Sequence, residues 1–173
     1  MKKLKTLLVC VFLLPALAWA CDEECRRDKA MAEHNVTFPS YLNASYCKTT
    51  SVDFLIGARR SLQSYYDERL NSAHRGGARN IRNFLEQRKE WLQECDKYLS
   101  LTQQGRVFRT KETSDTIFAA MTSLSSELEQ LIGIRRTANE DGFELTTAAR
   151  GRFDELFKLI DSHRTDLQLR GLL

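Results

Sequence analysis

Little in this chain interrupts a helix. After residue 20 the one proline is Pro39, and glycine is sparse, with 8 among 173 residues. No Ser/Gly-rich linker and no low-complexity run divides the sequence, so its length reads as one domain able to bury its own core. No segment alternates apolar and polar residues as a half-buried strand does, which argues against a sheet. No apolar run approaches the ~20 residues needed to cross a bilayer. The motifs of common active sites are missing as well. There is no G-x-S-x-G, no H-E-x-x-H and no G-x-x-x-x-G-K-[ST], which excludes a nucleotide P-loop. The three histidines, His34, His74 and His163, stand far apart and near no cysteine pair of metal-binding spacing, so no zinc site is expected. Glycan hydrolysis would need two facing carboxylates, and no acid pair reads that way. The expectation is a protein that is not an enzyme, with no cofactor and no metal.

The N-terminus carries the first positive signal. Lys2, Lys3 and Lys5 precede an apolar run from Leu7 to Leu14, Pro15 breaks it, and Ala18-Trp19-Ala20 supplies a small-x-small cleavage pattern. Residues 1–20 read as a secretory signal peptide and 21–173 as the mature domain. The whole chain has 26 basic and 23 acidic residues. The three lysines of the signal leave with it and it holds no acid, so the mature chain is formally neutral and gives no reason to expect a nucleic-acid partner.

Cys10 also leaves, and Cys21, Cys25, Cys47 and Cys95 remain. An even number in an exported chain points to disulfides. A lipid on Cys21 would leave an odd thiol, and Ala18 and Trp19 stand where a lipoprotein signal usually has leucine and a small residue. Cleavage after Ala20 without a lipid is the expectation, and a lipid-anchored structural or accessory protein of the envelope is the alternative. Cys21 and Cys25 lie four apart, and a bond between them would close a very small loop. Each is therefore expected to reach Cys47 or Cys95.

Helical periodicity organises the rest. Residues 21–35 read as a short helix with acids in its first turn, followed by a loop through Cys47. A long helix is expected after Thr50 or Ser51 as N-cap, with Val52, Leu55, Ile56, Leu62, Tyr66 and Leu70 on its apolar face and Gly76-Gly77 as its end. The next helix carries Ile81, Phe84, Leu85, Trp91, Leu92, Cys95, Tyr98 and Leu99 and stops before Gly105. Arg88 sits on that stripe and is expected to snorkel outward. Thr113-Ser114-Asp115 should cap a helix bearing Ile117, Phe118, Met121, Leu124, Leu128, Leu131 and Ile132. After a turn at 137–143, Thr146 or Thr147 should cap a last helix with Phe153, Leu156, Phe157, Ile160 and Leu167 inward. Two long antiparallel hairpins and a short N-terminal helix make an all-α, up-and-down bundle stapled by disulfides.

One polar cluster stands out. Arg69, His74, Arg75, Arg79 and Arg82 crowd around Gly76-Gly77. Glycines let backbone amides share one hollow, a helix N-terminus adds partial positive charge, and guanidinium forks suit carboxylate or phosphate. The bland alternative is a solvated basic loop.

Residues 47–98 resemble the LprI-type lysozyme-inhibitor domain of bacterial envelopes. Cys47 precedes Leu62 and Tyr65 in a Leu-x-x-Tyr pattern, and Gln87-Arg88, Trp91-Leu92, Cys95 and Asp96 follow on the next helix. The sequence departs in two places: Gln-Arg stands one residue too far from Trp91, and Cys95 comes before Asp96 instead of after it. The resemblance implies an exported helical module that acts by contact, on a lysozyme-like hydrolase. Such a cationic partner would need acids presented together, as at 21–25 or 139–144, whereas the basic Gly-Gly segment fits an anionic envelope ligand. The functional expectation is a periplasmic binding protein.

Overall fold

The computed structural model describes residues 21–68, 73–133, 142–143 and 145–173; the expected export signal at 1–20 lies outside them. The described chain is α-helical, with the expected bundle architecture. Six helices follow in order: α1 (Glu23–His34), α2 (Ala44–Asp53), α3 (Arg59–Glu68), α4 (Arg75–Leu101), α5 (Lys111–Gly133) and α6 (Thr147–Leu169). A π-helical turn, Phe54–Ala58, joins α2 to α3, so the two form one rod. Consecutive members of the set rod, α4, α5 and α6 pack side by side, and α6 returns against α3 to close the bundle. Two short strands pair antiparallel, Ala73 with Phe143 and His74 with Gly142, and link the end of the bundle where α4 begins to the segment ahead of α6.

Local chemistry sets the helix limits. Asp22 caps α1, its carboxylate accepting from the Cys25 amide at 2.9 Å, with Glu23 and Glu24 in the first turn. Asn43 caps α2 through the Tyr46 amide at 2.9 Å, so the second helix begins seven residues ahead of the expected Thr50. Thr50 is buried inside it and donates back to the Tyr46 carbonyl at 3.0 Å. The same competition relocates the start of α5. Thr110 accepts from the Thr113 amide at 3.1 Å, while Ser114 is buried and its hydroxyl lies 3.3 Å from the Thr110 carbonyl. Ser and Thr serve a helix either as caps or as donors to the preceding turn, and the sequence does not say which. Thr146 caps α6 as expected, accepting from the Ala149 amide.

Gly76-Gly77 does not end a helix. Both lie in the first turn of α4, where amides lack intrahelical partners in any case. Ala78, fully buried, opens the apolar stripe just behind them. That stripe continues through Leu85, Leu92, Cys95, Tyr98 and Leu99, all buried. Past Leu101 the chain leaves the helix through Gln103 and Gly105, at φ 58° and 102°; the second is a backbone region glycine enters without cost.

The rod faces inward with Cys47, Phe54, Leu55, Ala58, Leu62 and Tyr65, while Ile56 is 47% exposed. The stripe thus differs from the expected one: Val52 and Tyr66 are only half-buried, Leu70 lies outside the described residues, and the bond from Cys47 fixes the inward side. On α6 all five expected core residues are buried. Phe153 rests against Tyr65, Tyr66 and Phe157 at ring distances of 5.5–6.0 Å. Arg59 closes the seam from α3, 3.9 Å from the centre of the Phe157 ring and paired with Asp161 at 3.2 Å. Arg88 lies half-buried over the Phe84 and Trp91 rings, at 5.4 and 5.0 Å.

The disulfides differ from expectation. Cys21 bonds Cys25 across a Cα separation of 5.4 Å, and Cys47 bonds Cys95 across 5.2 Å. The short bridge is feasible because Cys21 precedes the cap Asp22 and lies outside α1; its Cα is free of the helical path that would hold two i, i+4 cysteines apart. The second bond joins the start of the rod to the end of α4, which fixes the two as antiparallel.

Candidate functional site

Of the basic segment, only Arg79 and Arg82 have side chains among the described residues. Arg69 lies outside the described residues, as do the side chains of His74 and Arg75; the backbone of His74 belongs to the strand pair. Arg79 is exposed on α4. Arg82 binds Glu129 of α5 and the Asn83 side-chain oxygen, at 3.2 and 2.8 Å, so its guanidinium is already committed.

Polar side chains converge at the opposite end, around the Cys47–Cys95 bond. Here α1, the start of α2, the end of α4, residues 102–110 and the end of α6 meet. Glu23 reaches in from α1, and one of its carboxylate oxygens accepts from the Tyr98 hydroxyl at 2.5 Å, the Gln104 amide nitrogen at 3.0 Å and the Ala44 backbone amide at 3.0 Å. Burial raises the Glu23 pKa, but these bonds and the charge of Arg26 outweigh it and hold the carboxyl below its ordinary value. Burial and the bonded Glu23 push the Tyr98 hydroxyl up to about 12. Phe38, from the loop after α1, meets the Tyr98 ring edge-on at 5.1 Å. The acids of the 21–25 stretch are thus not all presented outward: Glu23 locks α1 onto the bundle.

Asp96, buried at the end of α4, holds the connection that follows. It accepts from Arg106 at 2.7 Å and the Val107 amide at 3.2 Å, with Ser114 at 3.4 Å. The residues that carry the LprI-type resemblance lie largely in this core: Cys47, Leu62, Tyr65, Leu92, Cys95 and Asp96 are all buried.

Pinning residues 104–109 in this way leaves a cleft of about 420 Å³ between them, α2 and the end of α6. Its walls are Val52, Leu99, Val107, Phe108, Leu167 and Leu172, and its charged residues are Lys48, Arg106, Arg109 and Arg170, with no acid among the lining side chains. Arg106 answers Asp96, and Arg109 and Arg170 share Asp166 at 3.2 Å each. Two acids therefore balance four cations. Lys48, exposed on α2, has no ion-pair partner among the described residues. Ser51, one turn further on, borders the cleft and is 5% exposed, and its hydroxyl has no hydrogen-bond partner among the described residues. Leu172, 55% exposed, leaves an apolar edge.

Behind Phe108 lies His163, 3% exposed, its ring edge-on at 4.6 Å and its Nε2 buried without a partner among the described residues. Burial lowers the His163 pKa, Asp166 acts against that and Arg170 with it, so the neutral ring is favoured. Among the described residues no cluster of His, Cys, Asp or Glu is placed to hold a metal ion, and no helix is long and apolar enough to cross a membrane.

Sequence reasoning missed this end of the molecule. Lys48 and Ser51 fall in what read as the approach to a helix, Arg106 to Arg109 in what read as a connection, and Arg170 beyond the last apolar residue. The one available signal was Val107-Phe108, two apolar residues inside a polar link. No family model matches the chain, and no curated protein or solved structure is significantly similar to it.

Proposed function

We propose that this chain is an exported binding protein of the bacterial periplasm that works by contact and not by turnover, with the cleft beside Cys47–Cys95 as its contact site. The observation that carries the reading is the composition of that cleft: an apolar hollow of about 420 Å³ with four cations and no acid on its walls. That volume lies in the range of small-molecule pockets, which pair mostly apolar walls with a few polar anchors. Export is supported by the leader-like residues 1–20 and by two disulfides, which persist in oxidising compartments. Because the Cys21 sulfur is engaged by Cys25, the unlipidated form is favoured over the anchored one. The excess of positive charge favours an anionic partner over a cationic lysozyme-like hydrolase, whose acidic counterpart is reduced by the inward commitment of Glu23.

The test compares the two ends of the bundle. Val52→Trp fills the cleft from its half-buried rim, and Arg79→Glu reverses a charge at the other end. Protein isolated without denaturant from its own compartment should carry a bound molecule that native mass spectrometry detects in wild type and Arg79→Glu and not in Val52→Trp. Equal loading of all three proteins would exclude the cleft as the contact site.

A further inference from the structure

We infer that the cleft takes an unbranched aliphatic carboxylate, a proposal that rests on the cleft being the contact site and adds the chemistry of what fills it. Three features choose this class. The walls contributed by Val52, Leu99, Phe108 and Leu167 offer only hydrocarbon and one aromatic ring, which suits a tail with no polar groups of its own. The cation with no carboxylate partner among the described residues is Lys48, an exposed ammonium, whereas Arg106 pairs with Asp96, and Arg109 and Arg170 share Asp166. Lys48 can meet a carboxylate directly, whereas each guanidinium that could grip a phosphate as a fork already contacts an Asp carboxylate. Ser51 adds the second anchor. Its buried hydroxyl, one turn along α2 from Lys48, is a donor that nothing among the described residues receives, and a carboxylate accepts from both an ammonium and a hydroxyl. The charged head thus sits at Lys48 and Ser51 near the start of α2, and the tail runs inward under residues 104–109. Leu172 covers it from the end of the chain.

Dodecanoate is the probe, with dodecan-1-ol and dodecyltrimethylammonium as controls for the tail and for the sign of the head, each titrated below its aggregation threshold by calorimetry. Dodecanoate should bind one to one, and Lys48→Met should weaken it by about 10- to 100-fold, the worth of one charge-assisted hydrogen bond, while leaving dodecan-1-ol unchanged. Lys48 is exposed, so this variant keeps the core intact. Ser51→Ala should weaken dodecanoate by a smaller factor. Val52→Trp, with its melting curve as a check on folding, should abolish binding of all three. Equal affinity for the three probes, or dodecanoate binding indifferent to Lys48→Met, would overturn the assignment of a carboxylate and leave the contact site standing. Failure of every probe, together with equal native loading of wild type and Val52→Trp, would remove both.

Discussion

Replacing Cys47 and Cys95 together by alanine should cost far more than replacing Cys21 and Cys25. The first bond closes a loop of sequence separation 48, the second one of 4. In the chain-entropy account the restriction a cross-link places on the unfolded state grows with the logarithm of loop length, which gives about 4 kcal/mol for the long loop and about 2 kcal/mol for the short one. Position widens the gap. Cys47 and Cys95 are 0% and 1% exposed, so their removal also loses core packing, whereas Cys25 is exposed at the first turn of α1. For a domain of this size, 4 kcal/mol corresponds to a fall in Tm of about 8–16 °C. The assay is thermal and urea unfolding followed by far-UV circular dichroism, on each double variant and on wild type with and without reductant. Reduced wild type should resemble the variant lacking both long-loop cysteines. The reasoning fails if removing the 47–95 pair costs no more than removing the 21–25 pair, or if peptide mapping without reductant finds cross-bonded pairs.

Two further outcomes follow from the titrating groups Glu23, half-buried, and His163, buried. Glu23→Gln should destabilise by about 1.5–3 kcal/mol near neutral pH, because one carboxylate oxygen serves three donors. Since the folded carboxyl titrates below its ordinary 4.5, its contribution is complete above that value and is lost as pH falls through the lowered one; urea midpoints against pH should show the wild-type advantage vanishing there. His163 has the same sense for a different reason, because it is buried neutral and charges more readily when unfolded. Wild type should lose about 1.4 kcal/mol per pH unit as pH falls below 6.5, until the depressed folded value is reached. His163→Leu should flatten that slope, and parallel melting profiles for the two proteins would show that the ring does not titrate on unfolding.

The bundle was legible because its signals are local. The stripes of α4 and α6 repeat every three or four residues, and the structure buries Leu85, Leu92, Tyr98, Phe153 and Ile160 accordingly. What escaped depends on partners distant in sequence. Thr50 and Ser114 look like caps until the carbonyl a turn earlier is seen to compete for their hydroxyls. Arg82 looks free until Glu129, 47 residues later, arrives from α5. The disulfide pairing turned on one residue, the cap Asp22, which places Cys21 outside the helix. The cleft is the least legible part, since its walls come from α2, the 104–109 link and the C-terminal end, and no spacing in the sequence joins them.

The bond between Cys47 and Cys95 has a consequence for scission. One protease cut anywhere between those two residues leaves both fragments covalently joined, so the nicked chain runs as a single band until a thiol is added. A cut beyond Cys95 sheds a free C-terminal piece whether or not thiol is present. The same protein thus hides damage between Cys47 and Cys95 and displays damage beyond Cys95.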